Sequence, residues 1–260
     1  MEKQVVGRGL LAGAVAGVLA LVFARIFLEP VIGRAIDYES GRGEVESALA
    51  GTHDHEMEIF TRGIQANIGT GFGVLAFSVA MGALFAVVFA VAYPRLSTWS
   101  ARGLAIVLAA AAFVTVYLVP FIKYPANPPS IGDPETIGKR SGLYLLMIVL
   151  SIAFAAGAAW LGRALADRLG AWNATLCGFG AYIVAVGLAM LVLPPVSETP
   201  QPVVSAAGTI IYPGFPADDL FHFRLYSVGT QLVMWVTVGL VAGALFDRLL
   251  NSAKRERIAA

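Results

Sequence analysis

The sequence predicts an all-α, polytopic membrane helix bundle: about six transmembrane helices in three outward-opening hairpins. Three observations carry this. Apolar residues make up 58% of the 260 residues and charged residues only 13%, about half the charge of an ordinary soluble domain. The apolar residues gather into six runs, at 9–28, 69–93, 103–121, 142–161, 174–193 and 226–246. The connections alternate in charge and in length, as they do when every second one faces the cytoplasm. A helix needs roughly 20 residues to cross about 30 Å of hydrocarbon, and each run is close to that. Lipid offers no partner to a backbone N–H or C=O, so such runs have to be helical.

Taken in order, the first run resembles a signal peptide in length. It lacks a small-residue cleavage site and runs into Arg25 and Glu29-Pro30, so it is expected to be a retained helix. Gly9, Gly13 and Gly17 mark one stripe on it, and Gly239 and Gly243 mark one on the last run. Small residues at this spacing let helices approach closely, either inside the bundle or against another membrane subunit. The first connection, 29–68, is long and polar and is expected to be a loop. The second and third runs are joined tightly through 94–102, and the fourth and fifth through 162–173. The third and fifth connections, 122–141 and 194–225, are again long. Odd-numbered runs end near Pro30, Pro120 with Pro125, and Pro194-Pro195; even-numbered ones follow Arg62, Arg140 and Arg224. The echo fits an internal repeat, and it also fits ordinary helix ends and basic interfacial anchors. No separate soluble domain fits between the runs, so residues 1–260 read as one integral membrane domain.

Orientation follows from the basic residues. The termini and the short connections hold ten of them, and the three long connections hold seven on far more chain. Both termini are therefore expected in the cytoplasm. The long connections then face outward with thirteen carboxylates, against four inside. An acidic outer face concentrates cations, although solubility alone would also explain it. The net charge of +1 is spread over both sides, so no nucleic-acid partner is expected. Cys177, the single cysteine, lies within the fifth run and is expected to serve helix packing.

Two of the three histidines fall in His53-Asp54-His55-Glu56, followed by Glu58. Imidazole nitrogens beside carboxylate oxygens suit Co²⁺, Ni²⁺ or Zn²⁺. An exposed set of this kind fits capture and release, or no more than a solvated loop. His222, the third histidine, precedes the last run on the same side and is a candidate to join it. Arg25 and Glu29, four residues apart, Gln65 and Asn67 before the second run, and Gln231 in the last are the candidates for a polar pathway. The stretch Phe121–Arg140 contains Lys123, Pro125, Asn127, Pro128, Pro129 and Asp133. Its prolines restrict the backbone to a structured loop, and Asp133-Pro134-Glu135-Thr136 has the form of a helix start. No run holds a histidine at mid-depth, as a haem would need, and no nucleotide-binding or hydrolase motif is present. An enzyme is not expected.

Val119-Pro120-Phe121-Ile122-Lys123-Tyr124-Pro125-Ala126-Asn127-Pro128-Pro129, continuing through Gly132-Asp133-Pro134-Glu135-Thr136-Ile137-Gly138, resembles the most specific motif of the CbtA family of proposed cobalt transporter subunits. Phe27-Leu28-Glu29-Pro30, Leu169-Gly170-Ala171-Trp172-Asn173, Pro213-Gly214-Phe215-Pro216-Ala217-Asp218 and Phe223-Arg224-Leu225 are similar as well. The resemblance implies a cobalt-uptake subunit linked to cobalamin synthesis, with Co²⁺ or another divalent transition metal as cargo and no tightly bound cofactor. It also implies a small single-helix, histidine-containing partner, CbtB-like, and five spanning helices where the runs count six. Besides the lipid bilayer and that partner, a second copy of the chain is compatible with the glycine stripes. The rival expectation is a non-transporting membrane scaffold that assembles or stabilises a partner. Polar residues facing one another at depth would favour transport; an interior sealed by Leu, Val and Phe would favour the scaffold.

Overall fold

The computed structural model describes residues 2–51, 69–96 and 98–259. Five helices are long and apolar enough to cross a membrane: Lys3–Ala50, Thr70–Arg95, Ala101–Lys123, Ile137–Val192 and Ala217–Ser252. We label the helical elements α1 (Glu2–Phe23), α2 (Glu29–Ala50), α3 (Thr70–Ala92), α4 (Ala101–Ala112), α5 (Val119–Lys123), α6 (Ile137–Val192) and α7 (Ala217–Ala259). Strands β1 (Val203–Val204) and β2 (Ile210–Tyr212) form an antiparallel pair. The expected helical membrane bundle is what forms, with a count close to six. At 56 residues α6 would be about 84 Å long if straight, nearly three times the hydrocarbon thickness. It breaks at Gly170 (φ 75, ψ 159), a backbone conformation open almost only to glycine. Its two arms fold back antiparallel. Ser151 bonds Tyr182 at 2.8 Å, and the Cα of Gly178 faces the Ala158 carbonyl so closely that a Cβ would come within 2.7 Å. The expected tight connection at 162–173 is thus helix except at that one glycine.

Pro30 does not end its helix, contrary to the expectation, whereas the third span ends at Lys123, between Pro120 and Pro125, as expected. Neither Pro30 nor Pro120 itself breaks the helix. Each follows a π-helical segment, Ala24–Leu28 before Pro30 and Phe113–Leu118 before Pro120. A proline in a helix lacks an N–H and presses on the carbonyl four residues back. Those carbonyls, of Ile26 and Val116, lie inside the widened π turns, where the clash is relieved. The helix entered at Glu2 therefore runs on to Ala50, about 72 Å from Lys3, and residues 29–50 are helix where a loop was expected. Hydropathy marks only the part of a helix that lies in lipid. Glu, Arg and Ala continue a helix equally well in water.

Packing groups the residues into two compact units. The first contains residues 1–112, 128–130 and 200–260. In it α1 packs on α3 and α7, and α7 packs on α4. The glycine stripes are used here. A Cβ on Gly9, Gly13 or Gly82 would overlap the facing backbone of α1 or α3, and one on Gly239 would meet the Ala109 methyl at 2.8 Å. Phe89 packs tilted against Phe246, with ring centroids 4.4 Å apart. Beyond the apolar run, α2 presents Arg34, Tyr38 and Arg42 on one face at four-residue spacing. Arg34 Nε pairs with Asp219 Oδ1 at 2.7 Å, Tyr38 donates to the Pro213 carbonyl at 2.9 Å, and Arg42 donates to the Gln201 carbonyl at 2.7 Å.

The second unit holds residues 113–127 and 131–199. Its core is Val119, Tyr124, Met147 and Val186. Cys177, expected to pack, is instead exposed on its arm of α6.

Candidate functional site

His53, Asp54, His55, Glu56, Glu58, Gln65 and Asn67 lie outside the described residues. His222 is half-buried at the start of α7, stacked on Tyr226 with centroids 5.8 Å apart. Among the described residues no three of His, Cys, Asp and Glu come together as a metal-ligand set. Arg25 lies inside the π segment before Pro30 and Glu29 directly follows that segment; both have interaction partners, as does Arg224.

Gln231 lies on α7, one face of which the small side of α1 meets. There a cavity of about 280 Å³ opens between α1, α3 and α7. Gln231 lines it together with Ala20, Val74, Ser78, Thr230 and Met234. Ser78 is 1% exposed. The three polar side chains come from positions 78, 230 and 231, so no local pattern announces their meeting. Gly17 lets Ser78 into place, since a Cβ there would sit 3.0 Å from that of Ser78. The interior of the first unit is therefore not sealed by Leu, Val and Phe alone.

Most of the proline motif, residues 119–127 and 131–138, belongs to the second unit and is held by named contacts within it. Lys123, at the end of α5, donates to the Met190 carbonyl at 2.6 Å. That carbonyl belongs to the last turn of α6, where acceptors lack helical partners and a cation is favoured. Tyr124 donates to the Pro194 carbonyl at 2.9 Å, and its burial pushes the phenol pKa up. Pro125 and Asn127 are half-buried, Pro128 is buried, and Pro129 is exposed. Asp133 starts the following helix as expected: its Oδ1 accepts from the Glu135 N–H at 2.9 Å, and its carbonyl accepts from the Thr136 N–H at 3.1 Å. A 3₁₀ turn, Pro134–Thr136, then leads into α6.

Sequence reasoning missed Glu198. Its carboxylate is 5% exposed, takes a 2.6 Å bond from Arg140, and also accepts from the Thr136 hydroxyl. Gly132 (φ 147) lies beside it, where a Cβ would come 3.0 Å from Oε2. Arg140 and Thr136 were visible within the motif. Glu198, 58 residues from Arg140, had only its isolation among prolines to mark it.

No curated protein and no solved structure matches the chain. The family model described as probable cobalt transporter subunit (CbtA) matches residues 2–247, nearly the whole chain, which therefore belongs to the CbtA family as a multi-pass membrane transporter subunit.

Proposed function

We propose that this subunit admits Co²⁺, or a closely related divalent transition metal, across the plasma membrane for cobalamin synthesis. Both termini face the cytoplasm in this reading, following the basic residues. His53, Asp54, His55, Glu56 and Glu58 capture the ion outside, where borderline nitrogen and hard oxygen donors suit it. Glu29, Gln65, Asn67 and His222 pass it to the bundle, with Arg25 holding the charge balance beside Glu29. The loop from Lys123 to Asp133, pinned as described, shapes the outer face. A small single-helix, histidine-containing partner of CbtB type completes the system.

Family membership carries the reading. The cavity at Ser78, Thr230 and Gln231 supports transport over a scaffold, because polar groups facing one another in a membrane interior usually serve a path. The glycine stripes, which gave the scaffold its support, are occupied by packing inside the first unit.

The test is reconstitution of the purified chain in liposomes, with Co²⁺ influx followed by an internal metal-sensitive dye, with and without the partner. Saturable influx that weakens at low external metal on replacing His53 and His55 by alanine is expected. Influx only with the partner would make the chain one half of the conduit. Folded protein that passes no Co²⁺ in either state would refute the reading in favour of the scaffold.

A further inference from the structure

Hydroxyls facing the packed side of α7 follow one rule. Half-buried Ser227 and Thr230 and buried Thr237 each donate to the carbonyl four residues back, at 2.7, 2.8 and 2.7 Å. Ser78 breaks the rule. It is 1% exposed, it lines the cavity, and its Oγ has no hydrogen-bond partner among the described residues. A buried polar atom without a partner points to water or an ion that satisfies it. The other polar walls are arranged to accept. Thr230 has committed its proton to the Tyr226 carbonyl, so its Oγ1 turns lone pairs toward the cavity, and Gln231 can present its amide oxygen.

We propose that this cavity is a hydrated cation site inside the membrane. It takes a divalent transition-metal ion with most of its water shell kept, the shell donating to Ser78 Oγ, Thr230 Oγ1 and Gln231 Oε1. The inference deepens the transport reading and rests on it. Size agrees: six waters at about 30 Å³ each need ~180 Å³, within the 280 Å³ present. Among the described residues no carboxylate lines the cavity, so the walls orient the shell without holding the ion, and the site is one of passage and not of storage. A cation's waters are pure donors toward their surroundings, which is why a lining of acceptors suits it better than it would an anion.

Two measurements on the full chain test this. In liposomes, Gln231→Leu should lower maximal Co²⁺ influx at least tenfold while the half-saturating concentration stays within twofold, because capture at residues 53–58 is untouched. Gln231→Glu keeps the volume and adds a charge. It should lower the half-saturating concentration and the maximal rate together, a signature that misfolding does not produce. Wild-type kinetics in both variants, with wild-type influx intact, would overturn the site and leave the transport reading standing. The second measurement is independent of flux. In a Cys177→Ala background, Ala20→Cys should react with a charged, water-soluble thiosulfonate, and CoCl₂ should slow that reaction about tenfold where NaCl of equal ionic strength does not. Adding Ser78→Val should abolish the protection. If no Co²⁺ passes the wild-type chain with or without its partner, the transport reading falls, and this labelling alone decides the cavity. An unreactive Cys at position 20, or labelling that cobalt leaves unchanged, overturns it.

Discussion

Replacing Glu198 by alanine should release the proline loop from the second unit. The carboxylate is 5% exposed and carries a 2.6 Å bond from Arg140 and a second from the Thr136 hydroxyl. Breaking a buried ion pair costs about 3–5 kcal/mol when the remaining charge stays buried. Arg140 is 33% exposed, so water reaches part of the guanidinium and the cost falls. About 2–3 kcal/mol remains, counting the lost bond to Thr136 at the lower end of the range for charged acceptors. In the opening equilibrium of the loop that is roughly 30- to 150-fold. Amide hydrogen exchange over 131–140 in detergent micelles reads it directly, and the rest of α6 serves as the internal reference. Glu198→Gln keeps an acceptor for Thr136 and should lose about half as much. Arg140→Met combined with Glu198→Met should cost less than the sum of the two single changes, by about 1.5 kcal/mol. Exchange in Glu198→Ala within threefold of wild type, or additive single changes, would refute the argument that this pair holds the loop.

Further consequences concern the helices. Gly13→Val drives a branched side chain into the Ser78 carbonyl and the α3 backbone, so it should cost at least about 3 kcal/mol and reduce the yield of folded protein. Gly7, which has open space around it, should accept alanine with a slightly raised Tm. Gly170→Ala puts a Cβ on a backbone at φ 75, ψ 159 and should destabilise the α6 hairpin by about 1–3 kcal/mol, seen as a lower Tm; an unchanged Tm would argue against the fold-back. Lys123→Met removes the cation from the α6 C-terminus at Met190 and should cost about 1 kcal/mol, with Lys123→Arg recovering most of it.

Much of the fold was legible because its causes are local. Hydropathy over about 20 residues located the apolar part of each of the five long helices, and Asp133-Pro134-Glu135-Thr136 declared a helix start that the structure contains. The helix end was misjudged at Pro30 because a π turn beforehand removes the clash that normally stops a helix, and nothing in Ala24–Leu28 announces it. Gln231 was singled out as an amide inside an apolar run. Ser78 was passed over, because a serine in a membrane helix ordinarily bonds its own backbone and so carries no signal.

The sequence alone determined that this is a family member of membrane-spanning helices, with a proline-rich motif and glycine stripes ready for close contact. Those properties depend on composition and short spacing, which each segment carries by itself. Tertiary structure decided which backbone each glycine meets, that Glu198 closes on Arg140, and that Ser78 and Gln231, far apart in the chain, share one cavity. Such pairings are set by how whole helices cross and at what depth. That is a property of close packing between distant segments, so no single stretch of the chain encodes it.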